Sequence, residues 1–356
     1  MQLAAPPLCG HMPTLYKVEL SGVGERLMRV LVTGAGGFIG RQLVKALLAE
    51  PALSRCDGGA EQIGELIVTS RTGGSLKGFD QDARIRIELG DAADPGFYEA
   101  LFAKRIDSVF HLPATLTAEA ENNFRRGLEV NVLGMIQLLE RCRIQESRPR
   151  FIFPSSIAAF GGPLPDPVDD KTAQTPQTSY GIAKSIAELL INDYSRHGFI
   201  DGRALRLPVV IIRPDPSSVP SIADRIGAVL REPLLGRDVV CPLAPETRVP
   251  IASVRTTVNA LIRLHEVPAD RFGHTRAMNM PALTATLEDM ADTVARFERP
   301  GPRGKVVWER DDHIQAVVDS WPRAMLAEEA IRLGLPADAS IADILRNFIE
   351  DFAPSA

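Results

Sequence analysis

The chain has 356 residues, which at about 150 residues per domain allows two lobes, or one large α/β domain with an appended region. Hydrophobic residues make up 45% and charged residues 24%, the balance of a globular core rather than of a disordered chain. A formal net charge of −5 offers no general positive field for DNA or RNA, so nucleic acid is not an expected partner. The most apolar strip, residues 205–212, contains Arg206 and Pro208 and is far shorter than the ~20 apolar residues of a membrane span. Neither membrane contact nor a secretory leader is expected. The four cysteines (Cys9, Cys56, Cys142 and Cys241) lack CxxC or Cys/His ligand spacing, so no disulfide framework and no metal site is expected, and a reducing cytoplasm fits.

In chain order, residues 1–27 carry Pro6, Pro7 and Gly10 and no basic stretch, and read as a dispensable leader, disordered or preceding a true start at Met28. The run Arg29-Val-Leu-Val-Thr33 is short, apolar and β-branched. A glycine cluster follows, then Phe38, Ile39, Leu43, Val44, Leu47 and Leu48 at helical spacing, which predicts strand, tight turn and helix. Similar strand runs recur at 65–69, 84–88, 107–112, 150–153 and 203–207, with amphipathic stretches near 97–103 and 125–145. This alternation predicts an α/β fold with a doubly wound, Rossmann-type parallel sheet over residues 28–213. Prolines at 214, 216, 220, 233, 242, 245 and 250 then break the rhythm. Residues 214–356 are accordingly expected to form a smaller substrate-binding lobe, able to return strands to the sheet, and to cap its carboxyl edge.

Thr33-Gly-Ala-Gly-Gly-Phe-Ile-Gly40 places Gly34, Gly37 and Gly40 between the first strand and its helix. The first permits a tight turn, the second lets backbone amides approach a pyrophosphate, and the third allows helix and strand to pack closely. The helix amino end, at Phe38 and Ile39, adds N–H donors and a positive dipole. A dinucleotide site is the reading. The second strand ends Val68-Thr-Ser-Arg71, without the carboxylate that would bind ribose hydroxyls and repel a 2′-phosphate. Ser70 and Arg71 could instead pair with that phosphate, which favours NADP over NAD; alternatively Arg71 is a solvated loop residue. Asp91, beside Ala92, is placed either to accept from the adenine amino group or to serve as a turn aspartate.

Tyr180 and Lys184 open an apolar-periodic helix and share one face at i, i+4 spacing. A tyrosine with pKa near 10 is a poor base at neutral pH, but an adjacent cation stabilises the phenolate. Phe153-Pro-Ser-Ser-Ile-Ala-Ala-Phe-Gly161 brings a hydroxyl, Ser156 or its rival Ser155, to the same strand-end edge. Glycine loop, strand-end serine and Tyr/Lys helix, in this order, resemble the extended short-chain dehydrogenase/reductase family, also called the NAD-dependent epimerase/dehydratase family. The resemblance covers about residues 29–213. It implies a nicotinamide cofactor and the catalytic set Ser156, Tyr180 and Lys184, the serine and tyrosine binding the substrate oxygen and the lysine also binding the nicotinamide ribose. It extends to Leu112, Pro113 and Ala114 at the fourth strand end, where Pro113 replaces the family's usual alanine. Asn131 stands at the family's supporting asparagine position, or is simply a buried helix polar group. Pro208 belongs to the same cofactor-facing set, and His111 reads as structural rather than catalytic.

Epimerases of nucleotide sugars in this family usually carry an Asn-x-x-Gly-Pro segment where this chain has Arg213-Pro-Asp-Pro-Ser-Ser218. Residues 160–166, 175–181, 191–202 and 206–213 are instead similar to the D-erythronate dehydrogenase subgroup, which implies oxidation of the 2-hydroxyl of a short sugar acid and, by subgroup habit, NAD. Arg248 or Arg255 could supply the cation for a substrate carboxylate, or be surface residues. A second class of reading is an epimerase that retains its cofactor; a third is a cofactor-sensing binding protein, which would have no need of the Tyr/Lys pair. The helices at 125–145 and 180–195 suit the homodimer that the family usually forms, or simply cover the sheet.

Overall fold

The computed structural model describes residues 27–50, 52–55, 59–215 and 221–352. The expected leader lies, apart from Leu27, outside the described residues, as do Cys9 and Cys56. Strands β1 (Met28–Thr33), β2 (Ala52–Ser54), β3 (Ala60–Ser70), β4 (Ile85–Leu89), β5 (Ser108–His111), β6 (Arg150–Ser156) and β7 (Asp201–Leu207) alternate with helices α1 (Phe38–Ala49), α2 (Pro95–Leu101), α3 (Thr117–Asn122), α4 (Phe124–Leu128), α5 (Gly134–Ile144) and α6 (Ser179–Arg196). A π-helical turn, Glu129–Leu133, joins α4 to α5.

The predicted parallel sheet is present. β1 lies at its centre, paired in parallel with β3 on one side and β5 on the other, and β6 and β7 extend the β5 side. β4 extends the β3 side in parallel, and β2 pairs antiparallel with the start of β3. Both faces of each central strand are apolar because helices cover both. In β1, Val30 and Val32 face the core under α1, while Leu31 faces the core that contains Met135 and Leu138 of α5. Chain direction across the sheet reverses between β3 and β5, around β1, so the carboxyl ends of β1 and β5 open the crevice in which such folds bind ligands.

Past β7 the chain leaves this sheet at Pro208. β8 (Val209–Ile211) pairs with β10 (Arg248–Ser253), which also pairs antiparallel with β12 (Leu283–Thr286), while β9 (Val239–Cys241) pairs with β13 (Val306–Trp308). Helices α7 (Ile222–Leu234), α9 (Leu287–Arg296) and α12 (Ile341–Phe352) pack on these strands over a second core that includes Ile211, Val229, Met290 and Phe348, and two short helices, α10 (Asp312–Asp319) and α11 (Glu328–Arg332), precede α12. Two later elements return to the first sheet. β11 (Ala277–Asn279) adds a parallel strand beside β7, and α8 (Val254–Glu266) buries Val258 and Leu261 in the core beneath α1. No helix among the described residues is long and apolar enough to cross a membrane.

The amino ends of β6 and β7 are joined by buried charge. Asp201 is fully buried and accepts from Arg203 at 2.7 Å, Arg276 at 3.0 Å and Arg150 at 3.3 Å. Although burial opposes ionisation, these guanidinium groups hold its carboxyl below the usual range. Arg150 also donates to the carbonyls of Ser54, Arg55 and His265, and Arg203 to those of Leu264 and His265. The last carbonyls of α8, which lack helical partners, are thereby satisfied. Asp201→Asn leaves these arginines without their shared countercharge, so unfolding stability measured with denaturant is expected to fall by about 3–5 kcal/mol. A loss below about 1 kcal/mol would show that the carbonyls alone carry the cluster.

Candidate active site

The glycine turn joins β1 to α1 under tight steric limits. Gly34 has φ of +70°, and a Cβ there would stand 2.6 Å from the Pro113 nitrogen and 2.9 Å from the Leu112 carbonyl carbon. Only glycine lets the β5 end lie this close. At Gly40 a Cβ would stand 2.9 Å from the Ala35 Cα, so the third glycine brings helix and turn together. Gly37 caps α1 without any side-chain hydrogen bond, leaving the first-turn N–H groups at Phe38, Ile39 and Gly40 free of a side-chain acceptor. A tight turn, open backbone donors and a positive helix end fit a dinucleotide pyrophosphate.

The catalytic candidates meet at the carboxyl end of β6. Successive side chains of a strand point to opposite faces, and the two serines follow this rule. Ser155 is buried and donates to Glu188 Oε1, whereas Ser156 caps the following turn, accepting from Ala158 N at 3.1 Å, and shares a hydrogen bond with Tyr180. A Cβ at Gly181 would collide with the Ala158 carbonyl, so α6 begins pressed against the turn that Ser156 opens. Lys184 is buried. Its Nζ lies 5.5 Å from the Tyr180 ring centroid and 4.3 Å from that of Phe153, and donates to the Pro154 carbonyl at 2.7 Å.

The electrostatics differ from the expectation of a cation-lowered phenol. Burial pushes the Tyr180 hydroxyl up to about 12, with the Ser156 hydrogen bond pulling the other way. Burial likewise brings Lys184 down to about 7, opposed by the charge of Glu188. For both groups desolvation is the largest influence. Glu188, one turn beyond Lys184 on the same helix face, was not singled out from the sequence, although the 180, 184, 188 spacing is visible there. Besides Ser155 it accepts from Gln174 at 2.5 Å and from Arg206 Nη2 at 2.9 Å, all in a buried setting.

Other candidates fall as follows. Asn131 accepts from Thr115 N and donates to Thr115 O, both at 2.8 Å, and so braces the loop after Ala114. The Ala92 carbonyl packs where a Gly134 Cβ would otherwise stand. Asp91 accepts two hydrogen bonds from Arg126, at 2.7 and 2.8 Å, so its carboxylate is already engaged. Ser70 closes β3 and Arg71 is exposed. His111 is buried with its Nδ1 2.8 Å from Thr33 Oγ1, and burial brings it down to about 3, so it stays neutral. Arg248 and Arg255, the candidates for a substrate carboxylate, each have acids of this chain as partners. Arg248 pairs with Asp166 at 3.0 Å, and Arg255 is held by Glu350 at 2.7 Å and Asp351 at 2.5 Å on α12, because packing supplies each with carboxylates from this chain.

This fold, a doubly wound sheet with a glycine turn and a strand-end Ser with a Tyr/Lys helix, is the class to which the comparisons point. Residues 30–270 match the NAD dependent epimerase/dehydratase family, and the chain belongs to that family. It is 40% identical over 324 residues to a D-erythronate dehydrogenase of Cupriavidus necator, covering 91% of this chain and 98% of the relative. It is 34% identical to the D-erythronate dehydrogenase of Haemophilus influenzae, covering 91% and 99%. A nucleoside-diphosphate-sugar epimerase from Agrobacterium tumefaciens superposes with a TM-score of 0.79 at 31% identity, covering 91% of this chain and 94% of that one. The family and the turn together make the cofactor a nicotinamide dinucleotide.

Glu188→Gln removes the charge that supports Lys184 protonation, so the lysine pKa should fall further below about 7. Activity is expected to drop more at pH 7 than at pH 6, with lowered stability because Arg206 loses its partner. Equal loss at both pH values would separate Glu188 from the lysine's charge.

Proposed function

We propose that this chain oxidises the 2-hydroxyl of a short hydroxy acid of the D-erythronate type to the 2-keto acid. The meeting of Ser156, Tyr180 and Lys184 at the strand end beside the glycine turn carries this reading. The relatives from Cupriavidus necator and Haemophilus influenzae support the substrate class, since both are named for it along nearly their whole length.

In this reading the nicotinamide ring, when bound, supplies the hydride acceptor. Gly34, Gly37, Phe38, Ile39 and Gly40 would hold the pyrophosphate by backbone donors; Ser70, Arg71, Asp91 and Ala92 would serve the adenosine; Leu112, Pro113, Ala114, Asn131 and Pro208 would serve the nicotinamide side; Tyr180 and Lys184 would bind its ribose. Tyr180 Oη takes the proton of the reacting hydroxyl, and Ser156 Oγ hydrogen-bonds the same oxygen and orients it. Protonated Lys184 lowers the cost of the phenolate that Tyr180 must present. The reaction proceeds in a cytoplasmic setting and in a homodimer. Exposed Phe124 and Leu128 of α4 and Ile182 and Leu189 of α6 support the dimer, because large apolar side chains are left in water on helices that touch. Leu189→Arg is expected to shift the protein toward monomer in light scattering; an unchanged mass would move the interface elsewhere.

Formation of reduced nicotinamide, followed by absorbance with D-erythronate, L-threonate, other short aldonates and simple secondary alcohols, tests the reaction. Net reduction with one aldonate is expected, and Tyr180→Phe should cut kcat by about 10²–10⁴ while sparing nucleotide binding. Because the reaction needs the Tyr180 phenolate and the Lys184 ammonium together, and these titrate near 12 and near 7, oxidation should rise with pH up to about 7 and then level off; a continued steep rise from about 7 to about 10 would show that the lysine charge is not needed. Interconversion of a substrate without net reduced cofactor would make the protein an epimerase instead.

A further inference from the structure

β3 ends at Ser70-Arg71, and no carboxylate stands where one would hold the adenosine ribose hydroxyls and repel a 2′-phosphate. The chain then turns back through a short 3-10 segment, Gly73–Leu76, which brings Ser75 Oγ to 2.7 Å from Ser70 Oγ. Both hydroxyls face the glycine turn. A Cβ at Gly36 would stand 2.7 Å from Ser70 Oγ and collide with Ser75 Oγ, so the hydroxyls lie against the turn only because residue 36 is glycine. Arg41, on the first turn of α1, fixes this segment. It donates to the carbonyl of Ser75 and, at 3.3 Å, to that of Lys77, with its guanidinium 4.8 Å above the Phe79 ring.

Arg71 completes the cluster with an uncommitted charge. It is exposed and carries no hydrogen bond or ion pair among the described residues, although its field helps to hold Asp91 ionised. Asp91 does not claim it, because Arg126 already donates to both Asp91 oxygens. A free guanidinium beside a hydroxyl pair, which Ser75 fixes by donating to the Thr72 carbonyl at 2.8 Å, at a strand end that carries no carboxylate of its own, makes a site for a dianion.

We propose that the cofactor is the 2′-phosphorylated dinucleotide, and that Ser70, Arg71 and Ser75 bind its 2′-phosphate while Arg41 acts as a positioning residue for the turn. The inference rests on the nicotinamide reading above. The phosphate would accept from the guanidinium and from Ser70 Oγ, and from Ser75 Oγ once its hydrogen turns away from the Thr72 carbonyl; a plain ribose hydroxyl gives Arg71 no anion to meet.

Calorimetric titration of the full chain with NADP, NAD, 2′,5′-ADP and AMP tests this without turnover. The wild type is expected to bind NADP at least about 10-fold more tightly than NAD, and 2′,5′-ADP more tightly than AMP by a similar factor. Arg71→Ala, at an exposed position, should weaken NADP and 2′,5′-ADP by about 10- to 100-fold and leave NAD within about twofold. Ser75→Ala should act in the same direction more weakly, and Ser70→Asp should invert the preference by restoring a carboxylate. Tighter NAD than NADP in the wild type, or equal losses for both in Arg71→Ala, would overturn the proposal and leave the dehydrogenase reading standing. Binding of neither dinucleotide would overturn both.

Discussion

One buried carboxylate organises the closed end of this molecule. Asp201 gathers Arg150, Arg203 and Arg276, and two of those guanidinium groups reach on to the backbone carbonyls at the end of α8 and after β2. Burying Arg150 and Arg203, with Arg276 partly buried beside them, is costly without a countercharge, so the cluster ties β6, β7, α8 and β2 together. That arrangement brings a helix from late in the sequence under the first sheet. At the opposite end, where β1, β3, β5 and β6 deliver the glycine turn, Ser70, Ala114 and Ser156, the buried ion pair is that of Glu188 with Arg206, behind Ser155.

At that open end the spacing of backbones is as decisive as the side chains. Gly34 admits the β5 end, Gly36 admits the Ser70 and Ser75 hydroxyls, and Gly181 admits the turn after Ser156. Each contact joins a different pair of elements, and together they draw the cofactor turn, the adenosine side and the Tyr180 helix into one crevice. Strand alternation then divides two neighbouring serines. Ser155 turns inward to Glu188, and Ser156 turns to the phenol.

What the sequence made legible was local and periodic. Apolar runs flanked by turn residues marked the strands of the parallel sheet, and glycine spacing marked the turn, because both are written within a dozen residues. Long-range pairing was not readable in the same way. Arg255 meets Glu350 and Asp351 across nearly a hundred positions, and Arg248 meets Asp166 across 82, so an arginine in an irregular lobe looked free until packing supplied its acid. Ser75 is a similar case in reverse. It sits in an unremarkable Gly-Gly-Ser-Leu stretch and gains meaning only when the chain folds back onto Ser70. Glu188 was visible at i, i+8 from Tyr180, yet only burial beside Ser155, Gln174 and Arg206 distinguishes it from an ordinary helix acid.

The same burial explains the resting state of the site. Tyr180 is driven up and Lys184 down by one cause, removal of water, so the pair is biased toward two neutral groups rather than phenolate and ammonium. Glu188 opposes this bias at the lysine and Ser156 opposes it at the tyrosine, each from a different side of the β6 end. The proton inventory is therefore set by two neighbours outside the Tyr/Lys motif. Glu188 in turn stays buried because Arg206 on β7 neutralises it, and β7 is the strand that Asp201 begins. The chemistry at the open end of the sheet thus draws its charge balance from the same strand whose first residue anchors the closed end.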